Sequence, residues 1–219
     1  MEGRTRDHLK VALVYGGNSN EREVSLMSAA AVRRALSDLG FEIADIDPAR
    51  IEDLEKLVTE DYDLAFLTVH GKHGEDGTLQ GLLELLGIPY TGSGVWSSAT
   101  AIDKAKTKVR YRSAGIPTPK SQTLSPAGLT ASDLLDTGTR LPCVVKEIDG
   151  GSSVGVTIAR TEGELSAALA KASKSRLLGY PNLHDDRTPL WSVQECPGRT
   201  SSLTMTAYSG RSKQTQFRE

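Results

Sequence analysis

The loop at residues 70–77 (HGKHGEDG) places two imidazoles and two carboxylates close together in the chain. Side chains of these types can transfer protons or bind charged ligands. The apolar run 64–69 directly before the loop is short, as expected of a buried parallel strand. Ligands bind at the carboxyl ends of strands in open α/β sheets, so the loop is a candidate site. A plain glycine-rich connection between a strand and a helix is the alternative.

Two lysines are candidates for binding phosphate groups. Lys146 ends an apolar run and precedes the loop 147–156 (EIDGGSSVGV), whose glycines and serines offer backbone donors that can close over phosphates. The alternative is a hairpin with a polar loop. Lys104 lies in a D-K-x-x-x-K pattern on a predicted helix. We interpret its neighbours Lys106 and Lys108 as ordinary surface lysines.

Glu21 stands between the glycine-rich turn 16–20 (GGNSN) and a predicted helix over 21–39. Backbone N–H groups of such a turn can hold an anion, but the turn is not G-x-G-x-x-G, so a dinucleotide fingerprint is absent. The carboxylate could pair with the ammonium of a zwitterionic ligand, because a buried charge must be matched. The alternative is that Glu21 only complements the helix dipole, worth about 0.3–1 kcal/mol.

Predicted strands and helices alternate along the chain, which indicates an α/β fold. We predict a domain boundary at a helix break near Ile102, with one domain in residues 1–102 and a second in residues 103–219. The predicted strands are 10–15, 41–46, 64–69, a strand beginning at 88, 141–146 and 154–158. The predicted helices are 21–39, 51–58, 78–86, 95–114 and 162–173.

The composition is that of an ordinary soluble globular protein, with 38% hydrophobic residues, 25% charged residues and a net charge of −2. This balance argues against nucleic acid or a membrane surface as the main partner. No apolar run approaches the roughly 18 residues of a membrane helix, and the N-terminus lacks the apolar core of a signal peptide. Cys143 and Cys196 form no C-x-x-C pair, so neither a zinc site nor a disulfide framework is expected. A cytoplasmic location is the default expectation.

Four stretches together resemble the signatures of the D-alanine–D-alanine ligases, a family of the ATP-grasp superfamily. They are GGNSNEREVSL (16–26), HGKHGEDGT (70–78) with PYTGSG (89–94), DKAKTK (103–108) and PCVVKEIDGGSSVGV (142–156). The resemblance covers roughly residues 10–174, and the chain is poorly patterned after residue 175. It implies an N-terminal doubly wound (pre-ATP-grasp) parallel sheet followed by a partial ATP-grasp α+β domain.

The resemblance implies roles for four residues in binding amino acids. Glu21 matches the glutamate that holds the ammonium of the first D-alanine, and His70 matches a histidine near the second. Glu75 matches an acid that organises the N-terminal side of the pocket. Ser152 matches a serine that supports the substrate pocket, so Glu21 and Ser152 are the predicted catalytic residues.

For ATP, the resemblance implies that Lys104 and Lys146 bind phosphates and that Glu195 lies near the adenine. It also implies that Ser153 contributes to binding ATP, as part of the loop 147–156, which we call the flap. The chain departs from the family at Glu147, where the ligases usually have proline. An acid beside a phosphate-binding lysine weakens the local positive field.

The activity implied is the ATP-dependent ligation of two D-alanines to D-alanyl-D-alanine through an acyl phosphate, for peptidoglycan precursors and cell-wall synthesis. ATP and Mg²⁺ are the implied cofactors. The ligases bind magnesium through an Asp and an E-x-N motif, and this sequence has no E-x-N. We interpret Asp185 and Asp186 as a solvated turn, so no metal ligands are predicted. We therefore expect the C-terminal part to be missing or divergent, and the chain to be an active, truncated or inactive form of the enzyme.

Two alternatives remain open. One is a non-catalytic relative that binds nucleotide or a D-amino acid, or pairs with a full-length subunit. The other is a ligase with a different acceptor, such as D-lactate. The family's homodimer is the assembly to test. Near the end of the chain, Thr200 replaces the ribose-binding glutamate of the ligases, and residues 202–208 resemble one poor strand.

Overall fold

The computed structural model describes residues 9–125, 128–174 and 191–196. Three parallel strands form the first sheet, namely β1 (Lys10–Val14), β2 (Glu42–Ile46) and β3 (Leu64–Leu67). Their order is β2-β1-β3, with β1 in the centre. Because the strands are parallel, the turn after β1 and the loop after β3 leave the sheet at the same edge.

Four helices follow the strands of this sheet, namely α1 (Arg22–Asp38), α2 (Ile51–Thr59), α3 (Thr78–Leu86) and α4 (Val95–Ile102). Successive residues of β1 face opposite sides of the sheet. Ala12 and Val14 belong to a core with Leu57 of α2 and Leu83 of α3. Val11 and Leu13, which face the other side, are just as fully buried, and α1 packs against β1 and β2, so both faces are covered.

The second sheet is antiparallel and has the order β4-β7-β5-β6. Its strands are β4 (Ser121–Leu124), β5 (Cys143–Glu147), β6 (Thr157–Ala159) and β7 (Trp191–Glu195). Its helices are α5 (Lys104–Ser113), α6 (Ala131–Asp136) and α7 (Glu162–Lys174). One face packs on α6 and α7 through Cys143, Val145 and Val193 with Leu134 and Leu165.

Local chemistry explains where the elements differ from the predicted ones. The predicted break near Ile102 is present in the helical stretch 95–114, because the Asp103 side chain accepts hydrogen bonds from the N–H groups of Ala105 and Lys106 and starts α5 there. The predicted strand 154–158 begins only at Thr157. The predicted helix 78–86 has the same bounds as α3, but the Thr78 side chain, which the sequence predicts as its cap, belongs to the first helical residue, and the cap is Gly77 in the left-handed conformation.

Other differences concern elements that pattern alone did not predict. The strand expected to begin at residue 88 is a single bridge between Tyr90 and Ala65. Strand β4 and helix α6 were not predicted. The stretch 202–208, Thr200, and the adjacent Asp185 and Asp186 lie outside the described residues. Within the described ranges, every helix is too short or too polar to cross a membrane.

Candidate nucleotide and amino-acid site

A hydrogen-bonded turn after β1 positions Glu21. Gly16 and Gly17 both have positive φ angles, 83° and 75°. Asp47, which follows β2, accepts hydrogen bonds from the Gly17 N–H at 2.9 Å and from Arg22 Nη2 at 2.6 Å. Burial alone would raise the pKa of Asp47, but the hydrogen bonds from Arg22 and the backbone hold that pKa below its ordinary value. The turn is therefore fixed by a buried, charged carboxylate.

Three segments of the chain meet at the Glu21 carboxylate. The Ser152 hydroxyl donates a hydrogen bond to Glu21 Oε1. A Cβ added at Gly71 would lie 2.7 Å from Glu21 Oε2, and one added at Gly151 would lie 3.1 Å from it. The Ser19 hydroxyl donates to the His70 carbonyl at 2.7 Å, which ties the turn after β1 to the loop after β3. Glu21 thus lies between the 70–77 loop and the 147–156 flap.

His70 faces both the first helix and its own loop. Its Nε2 lies 3.1 Å from Ser28 Oγ on α1, and its Nδ1 lies 3.4 Å from Glu75 Oε1. The His70 and Glu75 side chains are 34% and 46% exposed, so both are open to a ligand. A histidine placed between a hydroxyl and a carboxylate can hold a proton on either nitrogen. Ser28 has no distinguishing pattern in the sequence and was not predicted.

The rest of the 70–77 loop is fixed by its own backbone contacts. Asp76 accepts hydrogen bonds from the N–H groups of His73 at 2.9 Å and Thr78 at 3.0 Å. Burial would raise the pKa of Asp76, but these hydrogen bonds lower it below its ordinary value. A Cβ at Gly74 would lie 2.4 Å from the Val69 carbonyl oxygen, so only glycine fits there. Asp76 and Gly74 therefore shape the loop.

Lys104 and Lys146 approach each other from different elements. The backbone N–H of Lys104 donates to the Ile148 carbonyl at 3.1 Å, and its ammonium donates to the carbonyls of Ile148 and Gly150. The start of α5 is therefore docked on the segment after β5. Burial, together with the positive charge of Lys146, lowers the pKa of Lys104.

Lys146 presents a half-buried ammonium. Within the described part of the chain, it has no hydrogen bond or ion pair, and burial lowers its pKa. Two half-buried ammonium groups that repel each other favour a bound polyanion. Glu147, the departure from the family pattern, occupies the next position of β5 and so faces the other side of the sheet. The negative charge of Glu147 still raises the pKa of Lys104, so Glu147 still weakens the positive field, but less than an acid on the face of Lys146 would.

The flap beyond β5 has an unusual backbone. Ser152 and Ser153 have positive φ angles of 48° and 59°, and Gly155 has a φ of 74°. Non-glycine residues adopt this left-handed region rarely, and such residues cluster at ligand-binding sites. Ser152 points to Glu21, as described above. Successive backbone N–H groups near left-handed residues can form an anion-binding concavity, which Ser153 would share.

The strand register separates Glu195 from Lys146. In the antiparallel pair, Cys143 lies opposite Glu195 and Lys146 lies opposite Ser192. Residues directly opposite share a face, and faces alternate along a strand. Glu195 is therefore on the face of Cys143, opposite that of Lys146, whereas Gln194 shares the face of Lys146. The structure therefore places Glu195 and Lys146, both predicted to bind ATP, on opposite faces of the sheet.

Glu195 instead borders a separate polar cavity of about 380 Å³ beside β4. Arg112, Lys120 and Thr139 also line this cavity. Contact between Glu195 and an adenine stays a prediction. Within the described ranges, no group of three or more His, Cys, Asp or Glu residues could hold a metal ion.

The sequence prediction was wrong about the exposure of Lys108. It was expected on the surface, but it is only 6% exposed. Its ammonium donates to the Pro119 carbonyl at 2.6 Å and lies 3.3 Å from Thr118 Oγ1. The one sequence signal is its spacing of four residues from Lys104, which puts both on one side of α5.

Two family models match the chain. The model described as the D-ala D-ala ligase N-terminus matches residues 45–93, and the model described as the D-ala D-ala ligase C-terminus matches residues 111–176. Together they span more than half of the chain. The chain belongs to the D-alanine–D-alanine ligase family. This confirms the resemblance drawn from the signature stretches.

Individual ligases agree with this assignment. The chain is 48% identical to a D-alanine–D-alanine ligase of Azoarcus sp. (strain BH72) over 165 residues, which cover 75% of this chain and 53% of that relative. The chain thus spans about half the length of such relatives. A structure of the Bacillus anthracis D-alanine–D-alanine ligase complexed with ATP matches with a TM-score of 0.68 at 33% identity, covering 86% of this chain and 59% of that one.

A ligase with a different name has nearly the same fold. The VanG D-Ala:D-Ser ligase of Enterococcus faecalis matches with a TM-score of 0.66 at 30% identity, covering 86% of this chain and 63% of that one. These likenesses to D-alanine–D-alanine ligase structures confirm the predicted fold class, a parallel N-terminal sheet followed by part of an ATP-grasp domain.

Proposed function

We propose that this protein takes part in the ATP-dependent ligation of two D-alanines to D-alanyl-D-alanine, for peptidoglycan synthesis. The observation that carries the proposal is that the 147–156 flap and the 70–77 loop both approach Glu21, and that the Ser152 hydroxyl donates a hydrogen bond to the Glu21 carboxylate. This arrangement puts a carboxylate for an ammonium group close to a flap of backbone donors. The D-alanine–D-alanine ligase names of its relatives support the same reaction.

The first D-alanine would be held through its ammonium by Glu21. Because Gly71 and Gly151 have no side chains, both segments can approach that carboxylate closely. His70, between Ser28 and Glu75, would lie near the second D-alanine and could orient its amine or accept its proton. Each of these assignments is a proposal that substitution can test.

The phosphates of ATP would lie between Lys104 and Lys146, with the flap N–H groups of Ser152 and Ser153 closing over them. In the proposed reaction, the carboxylate of the first D-alanine attacks the γ-phosphorus and ADP leaves. The amine of the second D-alanine then attacks the acyl phosphate, forming the peptide bond and releasing phosphate. The chain's contribution is positioning and charge neutralisation, which dominate catalysis in phosphoryl transfer.

Magnesium is implied by the family, but the described residues do not fit a magnesium site, because they offer no cluster of carboxylates. No step is therefore assigned to it. Glu195 lies on the face of the sheet opposite Lys146, and its contact with the adenine stays a prediction. The homodimer and the cytoplasmic location stay predictions, which sedimentation and cell fractionation can check.

The test is phosphate release by the 219-residue chain with ATP and D-alanine, combined with mass detection of the dipeptide. Parallel reactions with D-serine and D-lactate test a different acceptor, and a D-Ala:D-Ser ligase is among the similar structures. We expect D-alanine-dependent release that Lys146→Ala reduces at least tenfold. ATP binding without turnover would favour the non-catalytic alternative, and no ATP binding at all would contradict both.

A further inference from the structure

Lys108 fixes α5 to the chain segment that leads into β4. It lies on the side of the helix that carries Lys104, one turn later. Its ammonium donates to the Pro119 carbonyl at 2.6 Å and is 3.3 Å from the Thr118 hydroxyl. Both partners are neutral. Lys108 thus connects the helix that carries Lys104 to the segment just before the first strand of the second sheet.

The surroundings of Lys108 are positive. In the described part of the chain, no carboxylate forms an ion pair with it, and the charged groups that act on it are Lys146 on β5 and Arg112 on α5. Burial is the largest cause and the two cations add to it, lowering the pKa of Lys108 to about 8. The nearby acids Asp149 and Glu147 act on Lys104.

A buried ammonium without an anion is costly, because neutral hydrogen-bond partners such as the Pro119 carbonyl and the Thr118 hydroxyl replace only part of its hydration. Either of two events would relieve this desolvation cost: the ammonium could lose its proton, or a negatively charged ligand could bind nearby. The proposed triphosphate would arrive beside Lys146, the same lysine whose charge disfavours the protonated form of Lys108. Negative charge at that place favours protonated Lys108.

We propose that Lys108 is a positioning residue of the nucleotide site, holding α5 so that Lys104 meets Lys146, and that it takes up a proton when a triphosphate binds. The inference rests on the proposed function, because it requires a nucleotide between Lys104 and Lys146. The proton comes from the buffered solvent and forms the third N–H bond of the ammonium, and no other bond changes.

Calorimetry of ATP binding without D-alanine tests this inference. Titrations of the 219-residue chain at pH 8 in two buffers with different ionisation enthalpies give the number of protons taken up. Above neutrality the phosphates of ATP are fully ionised, since a phosphate ester has a second pKa of about 6. We expect an uptake of roughly 0.5 proton, because a group titrating near this pH is half protonated before binding.

Three variants separate the possible origins of that proton. Lys108→Met should lose the uptake and bind ATP more weakly. Lys108→Arg should keep the affinity and lose the uptake, because guanidinium stays charged at this pH. Lys171→Met removes an exposed lysine of α7 and should behave as the wild type. Thermal melting of each variant shows whether it is folded, and Lys108→Arg preserves the test if Lys108→Met unfolds.

The same uptake in Lys108→Arg as in the wild type would overturn the inference, because another group would then be titrating. Wild-type binding without proton uptake would also overturn it, while leaving the proposed ATP site intact. If the wild type does not bind ATP at all, the proposed function fails, and this inference falls with it. The two failures are therefore distinguishable.

Discussion

Ser152 donates a hydrogen bond to the Glu21 carboxylate although 131 residues separate them in the chain. The contact joins the turn after the first strand to the flap of the second sheet. It depends on two local features, the left-handed backbone at Ser152 and the absence of a side chain at Gly151. The hydrogen bond from the Ser152 hydroxyl to the Glu21 carboxylate therefore holds the flap close to the 70–77 loop.

Removing either partner of this contact should loosen the flap. A hydrogen bond to a charged group contributes about 1.5–3 kcal/mol, so Ser152→Ala or Glu21→Ala should speed flap opening about tenfold or more. Hydrogen exchange at residues 150–155, followed by mass spectrometry, measures this. Ser173→Ala on α7 is the matched control, and the double variant should exchange no faster than the faster single variant. Unchanged protection in both single variants would show that the contact does not hold the flap.

Lys146 is expected to bind phosphate directly. Lys146→Ala should weaken ATP binding by about 1.5–3 kcal/mol, the scale of a charged hydrogen bond. Equilibrium titration at constant ionic strength measures the change, with Lys171→Ala as the control. An affinity equal to that of the wild type would mean that phosphates do not lie against Lys146.

Two glycines of neighbouring segments should respond to alanine with opposite signs. Gly74→Ala places a Cβ 2.4 Å from the Val69 carbonyl oxygen. We expect it to lower the free energy of unfolding by about 1–3 kcal/mol or more. Gly81 lies within α3, where the nearest atom to an added Cβ is 4.0 Å away. Gly81→Ala should therefore raise that free energy by about 0.5–1 kcal/mol, because alanine favours helices. Urea denaturation compares the two, and equal effects would contradict the packing argument.

The Asp47 carboxylate should make stability depend on pH in the acid range. Its pKa in the folded protein lies below the ordinary value of 3.8. The unfolded chain therefore binds the proton first as the pH falls, so the stabilisation is complete above about pH 5 and is lost on descending through pH 4 and below. Asp47→Asn should lower the free energy of unfolding at pH 7 by about 1–3 kcal/mol. Denaturation curves from pH 7 to pH 3 should show this difference shrinking, and a constant difference would argue against a charged Asp47.

Much of the first sheet was predictable, because β1 and α1 carry strong apolar periodicity next to glycine-rich turns. The break near Ile102 was also predictable, and the Asp103 cap accounts for it. The burial of Lys108 was not, since a lysine at helical spacing looks exposed until Thr118 and Pro119 fold back against it.

The pairing of strands that are distant in the chain is a second feature that the sequence could not predict. Whether Glu195 or Gln194 faces Lys146 depends on the register between β5 and β7, and a shift of one residue reverses the face. Sequence patterns placed Glu21, His70 and Ser152 in separate motifs. Only the fold shows that Gly71 and Gly151 both approach the same carboxylate.

The grouping of Lys104, Lys108 and Lys146 also has a consequence for how fast a nucleotide arrives. The whole chain has a net charge of −2, so at long range it repels an anion weakly. At short range these ammonium groups act together, and salt screens such fields over about 8 Å at physiological ionic strength. Association of ATP should therefore slow as salt is added. Its dissociation should change less, because contacts formed with half-buried ammonium groups are shielded from mobile ions.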